Sequence, residues 1–229
     1  MNAIITAATK GIGRAIAFKL AQNGYHLSLC ARTETDLLAL QKDLQAYGVD
    51  VFIKVADLSS KADVLAFADF SINNLKSADV LVNNAGVFVP GVLLDEATEN
   101  FELQQHININ ATYLMSKTIG KSMQLNNTGH IFNICSVASL APADNAGSYS
   151  VTKAAMLSLN HVLRQELAPH DVKVTAFLPG ATKTSSWEGT TIPDEKFVQP
   201  EDIAETLFTI LNLSKGVNVD EVLITPLDF

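Results

Sequence analysis

Short apolar runs alternate with longer amphipathic ones along the chain. The short runs fall at 3–6, 26–30, 51–55, 80–83, 130–135, 172–178 and 221–224. Most are rich in Val, Ile and Leu and end near Gly, Asn, Asp or Ser, which predicts strands. Several are apolar almost throughout, as strands covered on both faces are. Helical periodicity fills the gaps at 12–22, 34–47, 61–75, 101–121, 149–167 and 201–211. Asn23-Gly24 closes the first helix and Gly48 the second. Thr33 and Asp36 open the second at capping-box spacing. This alternation predicts an α/β fold: a doubly wound parallel sheet of about seven strands, helices on both faces, three α/β/α layers. No linker, repeat or low-complexity stretch interrupts it, so a single domain over 1–229 is expected.

Composition narrows the function. Hydrophobic residues make up 48% of the 229 and charged residues 17%, ample for a buried core. A net charge of −8 argues against broad contact with nucleic acid, while leaving room for a local phosphate pocket. Cys30 and Cys135 sit in apolar runs and read as buried free thiols in a reducing compartment. The histidines at 26, 106, 130, 161 and 170 lack ligand spacing, so no metal is expected. Asp95 and Glu96, like Glu201, Asp202 and Glu205, read as favourable charge at helix starts. No run of about 18 apolar residues predicts a membrane span. The start, "MNAIITAATKGIG", lacks the basic residues and long apolar run of a signal peptide, so a cytoplasmic location is expected.

Chemistry enters with "TAATKGIGRAIA", which links the first strand to the first helix. Such a glycine turn rests a pyrophosphate on a helix N-terminus, the Rossmann-like arrangement. Gly11 and Gly13 allow close approach, and Ala7 stands where a further glycine is usual. Alanine is expected to fit with φ negative. The second strand ends in Ala31 and Arg32 where an acid would favour NAD. Arg32 and Lys10 instead suit a 2′-phosphate, which selects NADP(H). Asp57, in "VADLS", is placed to accept from an adenine amino group, and Gly86, in "VNNAG", is a second close-approach glycine. Tyr149 and Lys153 in "GSYSVTKAAM" share one helical face. By themselves they read equally as a surface pair or as a working pair.

Together these stretches resemble the short-chain dehydrogenase/reductase (SDR) family over almost the whole chain. "TAATKGIG" is similar to its cofactor loop, "NNAG" to its strand-four motif and "YSVTK" to its Y-x-x-x-K. Ser136 stands thirteen residues before Tyr149, similar to the family interval. "LPGATKT" resembles the turn that lines the nicotinamide pocket. The resemblance implies cofactor contacts from Thr6, Lys10, Gly11, Ile12, Gly13, Arg32, Asp57, Leu58, Asn84, Ala85, Gly86, Tyr149, Lys153, Pro179, Gly180, Thr182 and Thr184. It implies Tyr149 as general acid/base, favoured as phenolate by Lys153, which also holds the nicotinamide ribose. It implies Ser136 as the group orienting the substrate oxygen, and an asparagine holding a relay water. Asn108 is chosen for that role because Tyr113 follows it by five residues, with Asn110 as the alternative.

A short lid is expected at 181–199, open or mobile, with Trp187 either facing substrate or packing the lid down. The ending "VNVDEVLITPLDF" lacks the family's frequent glycine-rich close. Pairing through the helices at about 101–121 and 149–167 is expected to give a homodimer or homotetramer. The expected activity is NADP(H)-dependent hydride transfer between the nicotinamide and a small-molecule carbonyl or secondary alcohol. A 3-oxoacyl-(acyl-carrier-protein) reductase and a pteridine or small-ketone reductase are alternatives within the family. A catalytically silent dinucleotide-binding regulator is the alternative outside enzymes.

Overall fold

The computed structural model describes residues 1–228. Seven strands form one parallel sheet: β1 (Asn2–Ile5), β2 (His26–Ala31), β3 (Val51–Val55), β4 (Val80–Asn83), β5 (Gly129–Ile134), β6 (Val172–Pro179) and β7 (Glu221–Ile224). Their order is β3-β2-β1-β4-β5-β6-β7. The chain therefore runs outward from β1 to β3 and returns to the centre at β4. That reversal opens a crevice at the carboxyl ends of β1 and β4, where ligands bind in such sheets.

Helices α1 (Gly11–Gln22), α2 (Glu34–Gln45) and α7 (Pro200–Leu211) cover one face. Helices α3 (Lys61–Leu75), α5 (Thr112–Asn126) and α6 (Gly147–Leu167) cover the other. The strand pleat divides the core: Ala3 and Ile5 join the α1/α2/α7 layer, whereas Ile4 joins Phe67, Met115 and Ile119. Each fully buried side chain such as Ile5, Leu20 or Phe67 contributes roughly 1.5–3 kcal/mol.

Local signals behave unevenly. Ser60 caps α3 by accepting from the Asp63 amide, and Gln199 with Asp202 boxes the start of α7. Thr33 begins α2, but its hydroxyl makes no capping bond. The expected long fourth helix is a composite. Helix α4 (Thr98–Gln104) passes into a π-helical segment, Gln105–Ala111, and then into α5. Such a bulge re-aims side chains within a helix, and this one contains Asn108.

Candidate active site

A cavity of about 550 Å³ lies over the ends of β1, β4, β5 and β6. Of the expected site residues, Lys10, Gly11, Ile12, Asn84, Gly86, Ser136, Tyr149, Lys153, Pro179, Gly180, Thr182 and Thr184 line it. Thr6 and Ala85 lie buried behind the glycine turn instead. There Thr6 Oγ1 accepts from the amides of Asn84 and Ala85, both at 3.0 Å. Gly13 is buried against Asn84, and Leu58 is buried beneath Asp57 in the loop after β3. Arg32 and Asp57 are exposed at the ends of β2 and β3, outside the cavity.

The glycine turn departs from expectation at one point. Ala7 has φ +52°, in the left-handed region, and not a negative value. Neighbouring bonds fix this path: the Ala8 amide donates to Cys30 O at 3.0 Å, and Asn84 Nδ2 donates to Ala7 O at 3.0 Å. For alanine the conformation costs about 1–2 kcal/mol. The turn nonetheless fits a dinucleotide. Helix α1 has no side-chain cap and no acid in its first turn, so its amides and dipole face outward to an anion. Gly11, at φ +51°, lies so close to Thr184 that a Cβ would stand 2.9 Å from its Cγ2.

The catalytic candidates converge from three elements. Lys153, 3% exposed, donates from Nζ to Ile134 O at 2.8 Å and stands 5.8 Å from the Tyr149 ring centre. Ser136 Oγ accepts from the Ala138 amide at 3.1 Å, which leaves the hydroxyl hydrogen free to point into the cavity. Asn108 is fully buried; its Oδ1 accepts from the Val87 amide at 2.8 Å, and its Nδ2 donates to Val87 O and Thr152 Oγ1. Thr152 Oγ1 in turn donates to Tyr149 O at 2.9 Å. Gly86 lies against both partners: a Cβ there would be 3.3 Å from Lys153 Nζ and 3.6 Å from Asn108 Oδ1. Asn110, half-buried, takes no part in these bonds.

Charge around the site follows local bonding. The Ser59 amide and hydroxyl, and then the Arg32 charge, hold the Asp57 carboxyl below its usual range. Both Ser59 bonds fall on Oδ1. Burial pushes the Cys135 thiol up to about 11, even with Lys153 drawing it down. Cys135 therefore stays a neutral thiol in the cavity wall. Glu96 does more than lend charge to a helix start. Its Oε1 accepts from Ser148 Oγ in the first turn of α6, beside Tyr149. Glu205 likewise pairs with Lys19 of α1.

Several lining residues were missed in the sequence, among them Phe88, Val137, Ala138 and Asp144. Phe88 packs edge-on against Tyr149, ring centres 5.0 Å apart. Its position two residues after the "NNAG" motif was the available signal. Trp187 lines the cavity and packs edge-on against Phe197, which lies in the same 181–199 segment, with ring centres 5.0 Å apart. The 181–199 segment is tied at its ends by Lys183 N donating to Val198 O at 2.9 Å and Val198 N donating to Ala181 O at 3.0 Å. The C-terminal run meets the site too, for a Cβ on Gly180 would lie 3.1 Å from Pro226.

The sheet order and the glycine-lined cavity at its switch point define a Rossmann-like α/β oxidoreductase fold. The chain belongs to the short chain dehydrogenase family, whose sequence pattern matches residues 1–193. It is 31% identical over 224 residues to an uncharacterized oxidoreductase of Staphylococcus epidermidis strain ATCC 35984, covering 98% of this chain and 96% of that one. Among solved structures it is similar to an alcohol dehydrogenase from Thermococcus sibiricus complexed with 5-hydroxy-NADP. The TM-score is 0.90 at 31% identity, over 97% of this chain and 95% of that one. It is also similar to a metagenomic short-chain oxidoreductase in complex with NADP, with TM-score 0.87, 30% identity and coverage of 99% and 96%. No helix among the described residues is long and apolar enough to cross a membrane, and no cluster of metal ligands occurs among them.

Proposed function

We propose that this protein is an NADP(H)-dependent oxidoreductase interconverting a carbonyl and a secondary alcohol, with Tyr149 as general acid/base. The observation that carries the reading is the meeting of Ser136, Tyr149 and Lys153 on one cavity beside a glycine turn. The bound nicotinamide supplies or accepts the hydride. In reduction the carbonyl carbon gains that hydride and its oxygen gains the Tyr149 proton. Ser136 donates its free hydroxyl hydrogen to the same oxygen and orients it. Lys153, pinned by Ile134 O, holds its charge 5.8 Å from the Tyr149 ring centre. Asn108 holds the water that returns a proton by way of the lysine. Lys10 and Arg32 take the 2′-phosphate, and the NADP-bound relatives support that choice. In this reading 1–229 is one domain with a substrate lid at 181–199, acting in the cytoplasm. It assembles as a homodimer or homotetramer through α4, α5 and α6, where Leu103, Tyr113, Val151 and Val162 are exposed.

The test is a titration with NADPH and NADH followed by a carbonyl screen, repeated on Tyr149→Phe. Tight NADPH binding, weak NADH binding and turnover reduced at least a hundredfold in the variant are expected. Full turnover in Tyr149→Phe refutes the acid/base assignment.

A further inference from the structure

Beyond the catalytic group the cavity wall changes character. Phe88, Val137, Ala138, Ala143, Ala146 and Trp187 make an apolar surface with two aromatic rings. The apolar character continues outward. Leu93, 54% exposed, stands against Gly147, and Leu140, 56% exposed, follows the Val137–Ser139 turn. A ligand group here exchanges water for hydrocarbon and aromatic contact.

The charges on the lining are few and unequally placed. Its only cations are Lys10, in the glycine turn, and Lys153, already bonded to Ile134 O. Its only acid is Asp144, between the apolar wall and solvent. Among the described residues Asp144 makes no ion pair, so its charge acts on whatever enters. An anionic substituent on a substrate would find no counter-charge in this half and would pass a like charge on entry.

We propose that the site takes an uncharged ketone or aldehyde bearing a bulky apolar group, and that Asp144 discriminates against carboxylate- and phosphate-bearing analogues. The assignment rests on the oxidoreductase reading for its chemistry but on the cavity wall for its selectivity. It disfavours acyl groups delivered on an acidic carrier protein, for the same charge reason.

The test compares benzylacetone with its ring-carboxylated analogue. Binding is followed by the fluorescence of Trp187, the chain's single tryptophan, and turnover separately by consumption of NADPH. The neutral ketone is expected to bind at least tenfold more tightly. Asp144→Asn should shrink that ratio at least threefold, and raising ionic strength should shrink it in the wild type. Equal or tighter binding of the carboxylate, or a ratio untouched by Asp144→Asn, overturns the proposal. The expected binding pattern without turnover would uphold the selectivity of the wall and refute the oxidoreductase reading instead.

Discussion

Gly13 of the glycine turn lies so close to Asn84 that a Cβ on it would stand 2.4 Å from Asn84 Nδ2. That amide nitrogen donates to Thr6 O at 3.1 Å and Ala7 O at 3.0 Å. The first and fourth strands thus lock the turn between them. Gly13→Ala should break the lock, lowering stability by about 1–3 kcal/mol and weakening dinucleotide binding at least tenfold. Denaturant melts and a cofactor titration check both; an unchanged affinity would show that the turn tolerates the shift.

Ala7 provides the opposite test. Its φ of +52° costs alanine energy that glycine does not incur. Ala7→Gly should stabilise the fold by about 1 kcal/mol and raise the melting temperature by about 2–4 °C. A thermal melt of the purified variant reads this directly, and a fall in melting temperature would contradict it.

Arg32 stands close enough to Asp57 to help hold that carboxyl ionised, and a 2′-phosphate would compete for its charge. Arg32→Asp should weaken NADPH binding at least tenfold and NADH binding less than threefold. Fluorescence titration gives both constants. An unchanged ratio would place the phosphate elsewhere.

His130 sets a limit on acid stability. Burial, reinforced by Lys173, pushes it down to about 3 from its ordinary 6.5. Its ring stacks on Phe132, and Nε2 meets Thr175 Oγ1 at 2.8 Å. Because Thr175 Oγ1 donates to Val219 O, the ring donates from Nε2 and is neutral. As the pH falls below 6.5 the unfolded chain takes up this proton first. The stabilising contribution is therefore complete above that pH and is lost on the way down towards 3. At pH 5 the loss is about 2 kcal/mol. Urea melts at neutral pH and pH 5 should show it, and His130→Gln should flatten the difference.

The strands were legible because all seven carry apolar runs bounded by turn residues, and their predicted limits differ from the observed ones by a residue at most. The glycine turn, Ser136 and the Tyr149/Lys153 pair were legible because each needs a particular residue type at a local spacing. The π-helical segment was not. Its register depends on Asn108 reaching Val87, twenty-one residues away, and on Thr152 of another helix. Nor could periodicity give the outer cavity wall, which gathers Phe88, Ala138, Asp144 and Trp187 from the three separate connections after β4, β5 and β6. Ala7 shows the same division within a single residue. The sequence alone determined the sheet, its helices and the candidate residues of the glycine turn and the Ser136, Tyr149 and Lys153 group, because those follow from local pattern. Tertiary structure decided the sign of the Ala7 φ, which asparagine turns inward and what lines the outer cavity, because each depends on partners distant in the chain.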